Sequence, residues 1–200
     1  MDYHLNIFIM KMTIKLKKLY KRGMRIMDII KAKMYELEGN FKEALKVLTK
    51  IKFKNNLTLK EKITLNNKIA QLNWKLGNDI AYKYLQENKE IFNNKLNREN
   101  YKISYAEYLW LYAEVYEREL SNKQYKKVFG NIYRIYKGIS EYYSSLAILK
   151  ILKRKGNKKD VDNYINHIIN TSDDTMLIKA MIEKSGKTNL SYIKKISINQ

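Results

Sequence analysis

The sequence predicts an all-α fold, a helix-turn-helix repeat solenoid of about four helical hairpins with capping helices at both ends. Apolar residues recur at helical spacing, the helical segments break at glycine, and the resulting hairpin recurs along the chain. The chain contains no proline, so long helices can run without interruption. Alternating strand-like residues bounded by Asn-Gly or Pro-Gly turns do not occur.

The first hairpin, residues 28–51, defines the repeated pattern. Its first half carries apolar residues at helical spacing, Gly39 breaks the helix, and a second apolar stripe begins at Phe41. Ala32 and Ala44 are small at the positions where two antiparallel helices approach each other closely. Because such a hairpin cannot bury its outer face alone, it needs neighbours of the same kind.

Later stretches repeat this pattern at intervals of about 40 residues, a spacing typical of helix-turn-helix repeats. Two capping boxes, Thr58 with Glu61 and Ser121 with Gln124, predict helix starts in the same register. The polar stretch 93–100 is the longest interruption and the predicted hinge. The repeated hairpins are residues 66–85, which turn at Gly77, residues 109–129, where Ser121 replaces the glycine, and residues 145–165, which turn at Gly156.

The first hairpin resembles a tetratricopeptide repeat, and weaker similarity extends over residues 27–170. The resemblance implies that the first helices of successive hairpins line a concave groove for an extended or helical peptide. Three departures are Asp28 and Lys31, at the usual Trp and Leu positions, and the missing proline at the end of the repeat. The matching residues are Ala32, Tyr35, Gly39, Asn40, Phe41 and Ala44, and Leu48 occupies the usual aromatic position.

The chain divides into three predicted regions, an N-terminal region 1–26, the repeat domain 27–170 and C-terminal capping helices in 171–200. Terminal repeats are usually atypical because their outer face meets water. In the first helix of the last region, the apolar residues expected to face the protein core are Met176, Leu177, Ala180 and Met181.

The N-terminal region carries seven basic and no acidic residues between Lys11 and Arg25. A basic helix that caps the first hairpin is favoured over an amphipathic helix on an anionic membrane. A third hypothesis is that translation starts at Met27 and that residues 1–26 are an artefact of gene-start assignment. The run Lys21-Arg22-Gly23, in AT-rich codons, would give a purine stretch like a bacterial ribosome-binding site.

The chain is strongly basic, with a formal net charge of +20. This charge comes from 34 lysines and only six arginines, and Lys, Ile, Asn and Tyr, which all have AT-rich codons, are abundant. Arginine is the residue that phosphate and base recognition favours. The composition therefore favours a solvated lysine surface over selection for nucleic-acid binding.

Residues for catalysis or metal binding are scarce. The chain has no cysteine, and its two histidines, His4 and His167, have no second ligand at metal-binding spacing. Glu114, Glu117 and Arg118 are interpreted as a solvated helix face. No phosphate-binding glycine motif occurs. We therefore expect no enzyme, no cofactor and no metal site.

The expected function is a non-catalytic protein-protein interaction module in the cytoplasm of a bacterium, which binds an acidic or extended peptide segment in its groove. The alternative is a basic protein that binds the phosphate backbone of nucleic acids without sequence specificity. Direct DNA reading by one helix-turn-helix is disfavoured, since the second helices carry apolar stripes. The residues predicted to face the groove are Lys33, Asn67, Gln71, Trp74, Lys75, Trp110, Glu114, Arg118, Lys150, Lys153 and Arg154.

Overall fold

A computed structural model describes residues 27–53 and 57–185, which form α-helices and contain no strand. The all-α prediction is therefore confirmed for this part of the chain. The helices are α1 (residues 27–37), α2 (Phe41–Phe53), α3 (Leu59–Lys75), α4 (Ile80–Asn93), α5 (Lys95–Asn100), α6 (Lys102–Val115), α7 (Asn122–Tyr136), α8 (Glu141–Lys155), α9 (Lys158–Thr171) and α10 (Thr175–Ser185).

The helices belong to two compact units that divide the chain between Asn93 and Asn94. In the N-terminal unit, α3 packs against α2 and α4; in the C-terminal unit, α7 packs against α6 and α8, and α9 against α8 and α10. Packing of helices that are adjacent in sequence is consistent with the predicted helical repeat solenoid. The division lies inside the predicted repeat domain, whereas the predicted N-terminal region 1–26 lies outside the described residues.

Helix boundaries follow the local signals in the sequence. The side chain of Thr58 accepts a hydrogen bond from the Glu61 N–H at 3.3 Å, and Glu61 Oε2 accepts one from the Thr58 N–H at 2.7 Å. Ser121 and Gln124 form the same reciprocal pair, so both predicted capping boxes are confirmed. Helix α8 ends at Gly156, whose φ of 77° lies in the left-handed region that favours glycine.

The polar stretch 93–100 is not the uninterrupted loop that its composition suggests, because it contains the short helix α5. Asn94 caps this helix, and its side-chain oxygen accepts a hydrogen bond from the Leu96 N–H at 2.9 Å. The asparagines that indicated a loop therefore include one that begins a helix. The hinge role of this stretch stays a prediction.

Helix α10 packs with a register that differs from the predicted one. Leu177, Ile178 and Met181 are fully or almost fully buried, and they join an apolar core with α8 and α9. Met176, predicted to face inward, is 71% exposed, and Ala180 is only half-buried. The buried face follows the spacing i, i+1, i+4, which turns Met176 towards solvent.

The first hairpin buries its predicted small residues and exposes part of α1. Ala32 and Ala44 are at most 1% exposed. On the opposite side of α1, however, Met27, Ile30 and Met34 are each about half exposed or more. Helix α1 therefore has an apolar face open to solvent. No helix in the part of the chain that the structure describes is both long and apolar enough to cross a membrane.

Candidate functional site

The C-terminal unit contains a cleft of about 520 Å³ between α6, α7, α8 and α10. Five of the predicted groove residues line it, namely Trp110, Glu114, Lys150, Lys153 and Arg154. The remaining lining residues are Glu117, Tyr125, Leu146, Leu149 and Lys184. The cleft thus carries four cationic and two anionic side chains around an aromatic and aliphatic floor.

Helix α8 contributes one complete face to the cleft. Leu146, Leu149, Lys150, Lys153 and Arg154 follow the spacing i, i+3, i+4, i+7 and i+8, which places them on one side of a helix. The two leucines are at most 8% exposed and belong to the apolar core of the unit. The cationic residues follow on the last turns of the helix, where positive charge also complements the helix dipole.

Arg154 joins α8 to the segment between α6 and α7. Its Nη2 donates a hydrogen bond to the main-chain oxygen of Leu120 at 2.9 Å, and its Nε donates to Asn122 Oδ1 at 3.0 Å. The guanidinium carbon lies 5.0 Å from the centre of the Tyr125 ring, within cation–π range. Arg154 therefore holds one wall of the cleft in place.

Tyr125 forms part of the floor and is 3% exposed. Burial, helped by the Glu117 and Glu114 carboxylates and opposed by Arg154, raises the pKa of its phenol to about 12. The phenol therefore stays neutral at physiological pH. Its ring lies 4.7 Å from that of Phe129, so Tyr125 serves as a packed aromatic floor.

Trp110, Glu114 and Lys150 form a chain across the cleft from α6 to α8. The Trp110 indole N–H donates to Glu114 Oε1 at 2.8 Å, and the same oxygen lies 3.9 Å from Lys150 Nζ. The indole is half-buried and packs edge-on against Phe129, with ring centres 5.2 Å apart. Trp110 is thus both a partly open surface and a hydrogen-bond donor that orients the carboxylate.

Lys153 and Lys184 are the exposed cations of the cleft. Within residues 27–53 and 57–185, the ammonium group of neither lysine has an ion-pair or hydrogen-bond partner. Lysine has three donors that need acceptors, which water supplies at an exposed position. These two groups are therefore available to a ligand without the loss of an internal contact.

Predicted groove residues of the N-terminal unit show varied exposure. Trp74 is 40% exposed, and the neighbouring Lys75 ammonium lies 4.9 Å from the centre of the Phe41 ring. Gln71 accepts a hydrogen bond from Lys68 Nζ at 3.0 Å. Lys33 and, in the other unit, Arg118 are exposed, and Arg118 does not line the cleft.

Asn67 is the predicted groove residue that the structure places inside the protein. It is 8% exposed, and its Oδ1 accepts a hydrogen bond from Asn88 Nδ2 on α4 at 2.7 Å. Asn88 also donates to the main-chain oxygen of Ile63 and accepts from Asn66 Nδ2, each at 3.0 Å. Asn67 therefore belongs to a buried network between α3 and α4, which corrects its assignment to a peptide-binding surface.

The same network extends to a charged pair, Lys52 and Glu87. Lys52 Nζ donates to Asn66 Oδ1 and to Glu87 Oε2, both at 2.7 Å, and lies 4.0 Å from the centre of the Tyr84 ring. Burial lowers the pKa of Lys52, against the opposite effect of Glu87. Each member has a hydrogen-bonding partner, so we interpret the network as a structural link between α2, α3 and α4.

The sequence did not identify half of the cleft lining. Leu146 and Leu149 share the α8 spacing of the predicted lysines, so this periodicity was a usable signal. Glu117 was interpreted as part of a solvated face, and Tyr125 lies within the third predicted hairpin, residues 109–129. Lys184 lies on α10, and its approach to α8 depends on tertiary packing that no local pattern indicates.

Within the described ranges, no three His, Asp or Glu residues are grouped as they would be in a metal site. His167 is exposed on α9, and His4 lies outside the described residues.

Comparisons with protein-family models, curated proteins and solved structures find no match. The chemistry of the cleft is therefore the starting point for its function.

Proposed function

We propose that the protein is a non-catalytic protein-protein interaction module that binds an acidic segment of a partner protein in the α6–α8–α10 cleft. The observation that supports this proposal is the excess of cations around a partly open aromatic floor. A carboxylate gains charge-assisted hydrogen bonds from lysine, and a neighbouring apolar side chain gains contact with the Trp110 ring. The resemblance to tetratricopeptide repeats and the expected cytoplasmic location belong to the same proposal.

Nucleic acid is the second candidate, because a net charge of +20 favours any polyanion. Two features of the cleft argue against it. Tyr125 is 3% exposed, so its ring offers little surface for base stacking. The cleft charge is also mixed, since Glu114 and Glu117 would repel phosphates nearby.

Selection of random peptides displayed on phage, with the full chain as bait, tests the proposal. We expect enrichment of peptides that combine Asp or Glu with a bulky apolar residue. Synthetic versions of the selected peptides should quench or shift Trp110 fluorescence in a Trp74→Phe variant, where Trp110 is the only indole. Affinity should fall with added salt, but less steeply than that of a duplex DNA of random sequence.

The double variant Lys153→Glu with Lys184→Glu tests whether the selected peptides bind in the cleft. Both positions are exposed, so the exchange should leave the helical circular dichroism unchanged. Selected peptides that bind this variant as well as the original chain would place binding elsewhere and contradict the proposal. Tight, salt-sensitive DNA binding together with no peptide enrichment would favour the second candidate.

A further inference from the structure

The four cationic side chains of the cleft differ in the contacts that they already make within the protein. Arg154 donates to a main-chain carbonyl and to a side-chain amide, and its guanidinium faces the Tyr125 ring. To contact a ligand with the same N–H groups, it would have to give up those contacts. Arg154 is therefore a structural residue of the cleft wall.

Lys150 is also partly committed inside the cleft. Its ammonium faces Glu114, whose carboxylate is held by the Trp110 indole at 2.8 Å. The 3.9 Å separation is too long for a strong hydrogen bond, but the negative charge still reduces the attraction of Lys150 for a second carboxylate. An anionic ligand at Lys150 would meet Glu114 as well.

On this basis we infer that Lys153 and Lys184 together form the anion-binding subsite of the cleft, for a carboxylate group of the partner segment. This inference rests on the proposed function and assigns its specificity to two residues. The lysines reach the cleft from α8 and α10, two helices in contact. Among the residues that the structure describes, neither lysine has an ion pair or hydrogen bond that a ligand would displace. Both line the same cleft as the Trp110 ring, the partly open apolar surface that an adjacent apolar side chain of the ligand would contact.

Fluorescence anisotropy with a short fluorescein-labelled peptide of glutamate and leucine tests the subsite in the full chain. A second peptide with glutamine in place of glutamate measures the part of the affinity that depends on carboxylates. Lys153→Gln with Lys184→Gln should weaken binding of the glutamate peptide about tenfold in total, about threefold for each lysine, as expected for exposed ion pairs. The same variant should leave the weak binding of the glutamine peptide unchanged.

A control variant separates the subsite from general charge. Lys155→Gln with Lys158→Gln removes the same total charge from exposed positions outside the cleft lining and should change the affinity by less than about threefold.

The possible outcomes test the proposed function and the assigned subsite separately. If the original chain binds the glutamate peptide no better than the glutamine peptide, the proposed function itself fails. If it prefers glutamate, but the control variant Lys155→Gln with Lys158→Gln loses as much affinity as Lys153→Gln with Lys184→Gln, the module binds acidic peptides and the assigned subsite is wrong. Selective loss in the Lys153 and Lys184 variant supports both.

Discussion

The buried asparagine network between α3 and α4 should be a major source of stability in the N-terminal unit. Asn88 is 0% exposed and takes part in three hydrogen bonds, with the Ile63 main chain, Asn67 and Asn66. Asn88→Leu has little effect on volume but removes all three. With about 1 kcal/mol for each of the three hydrogen bonds and about 1–3 kcal/mol for a buried partner left unsatisfied, we expect a loss of about 4–6 kcal/mol.

Urea unfolding of the full chain measures this loss. In a Trp110→Phe background, the remaining indole is Trp74, which lies on α3 and reports the unit that contains the network. We expect the unfolding midpoint to fall, with an unchanged dependence on urea, because the substitution alters stability without altering the surface exposed on unfolding. The matched control is Gln86→Leu, an amide-to-leucine exchange at an exposed position on α4 of the same unit, which should change the free energy of unfolding by less than about 0.5 kcal/mol.

The double variant with Asn66→Leu tests whether the residues act as a network. Because Asn66 and Asn88 share a hydrogen bond, the two losses should not add, and the coupling free energy should be about 1 kcal/mol or more. A stability of Asn88→Leu equal to that of the Gln86→Leu control would refute the reasoning. It would mean that an apolar interface serves as well as the buried polar one.

Three further predictions follow from individual residues. Gly130→Ala, inside α7 with nothing near the added methyl group, should stabilise by about 0.5–1 kcal/mol in thermal unfolding, whereas Gly156→Ala, at a φ of 77°, should destabilise by about 1 kcal/mol. Arg154→Ala should lower the free energy of urea unfolding by about 1–2 kcal/mol, because two hydrogen bonds and an aromatic contact are lost. Burial raises the pKa of Tyr136 to about 12, against about 10 when unfolded, so about 2–3 kcal/mol of stability should disappear as the pH rises through this interval. Tyr136→Phe should remove this part of the pH dependence of urea unfolding, and Tyr35→Phe, at a half-buried ring, should keep it.

Each of these three predictions can be contradicted by one particular result. Equal effects of alanine at Gly130 and Gly156 would mean that backbone conformation does not decide the outcome. An Arg154→Ala variant as stable as Lys153→Ala would remove the basis for assigning the two cations different roles. A Tyr136→Phe variant that loses stability between pH about 10 and about 12 as steeply as the original chain would show that other groups control the alkaline transition.

The fold was predictable wherever the determining contacts are local. A capping box, such as Thr58 with Glu61, requires residues three apart, and the apolar spacing of a helix appears directly in the sequence. The same reasoning failed for Met176, because periodicity gives the width of an apolar face but does not decide which edge of that face meets the core.

The candidate site was only partly predictable, for a related reason. Lys150, Lys153 and Arg154 occur on one helix face and were identified, but Lys184 joins them through tertiary contact between α8 and α10. Asn67 was assigned to the groove from the register of the repeats, yet its partner Asn88 lies on the following helix. Sequence alone does not distinguish a polar residue that faces a ligand from one that faces a buried polar partner.

Within each unit, most of the helix contacts join helices that are neighbours in sequence, which has a consequence for how the protein forms. Contacts between sequence neighbours close only short loops, so the conformational entropy lost before they stabilise the structure is small. With no proline in the sequence, the unfolded chain also lacks the slow cis–trans equilibria that delay refolding. We therefore expect each unit to refold rapidly from urea without a slow phase. During synthesis, helices α2 to α4 can pack together before the ribosome has completed the segment that forms the cleft.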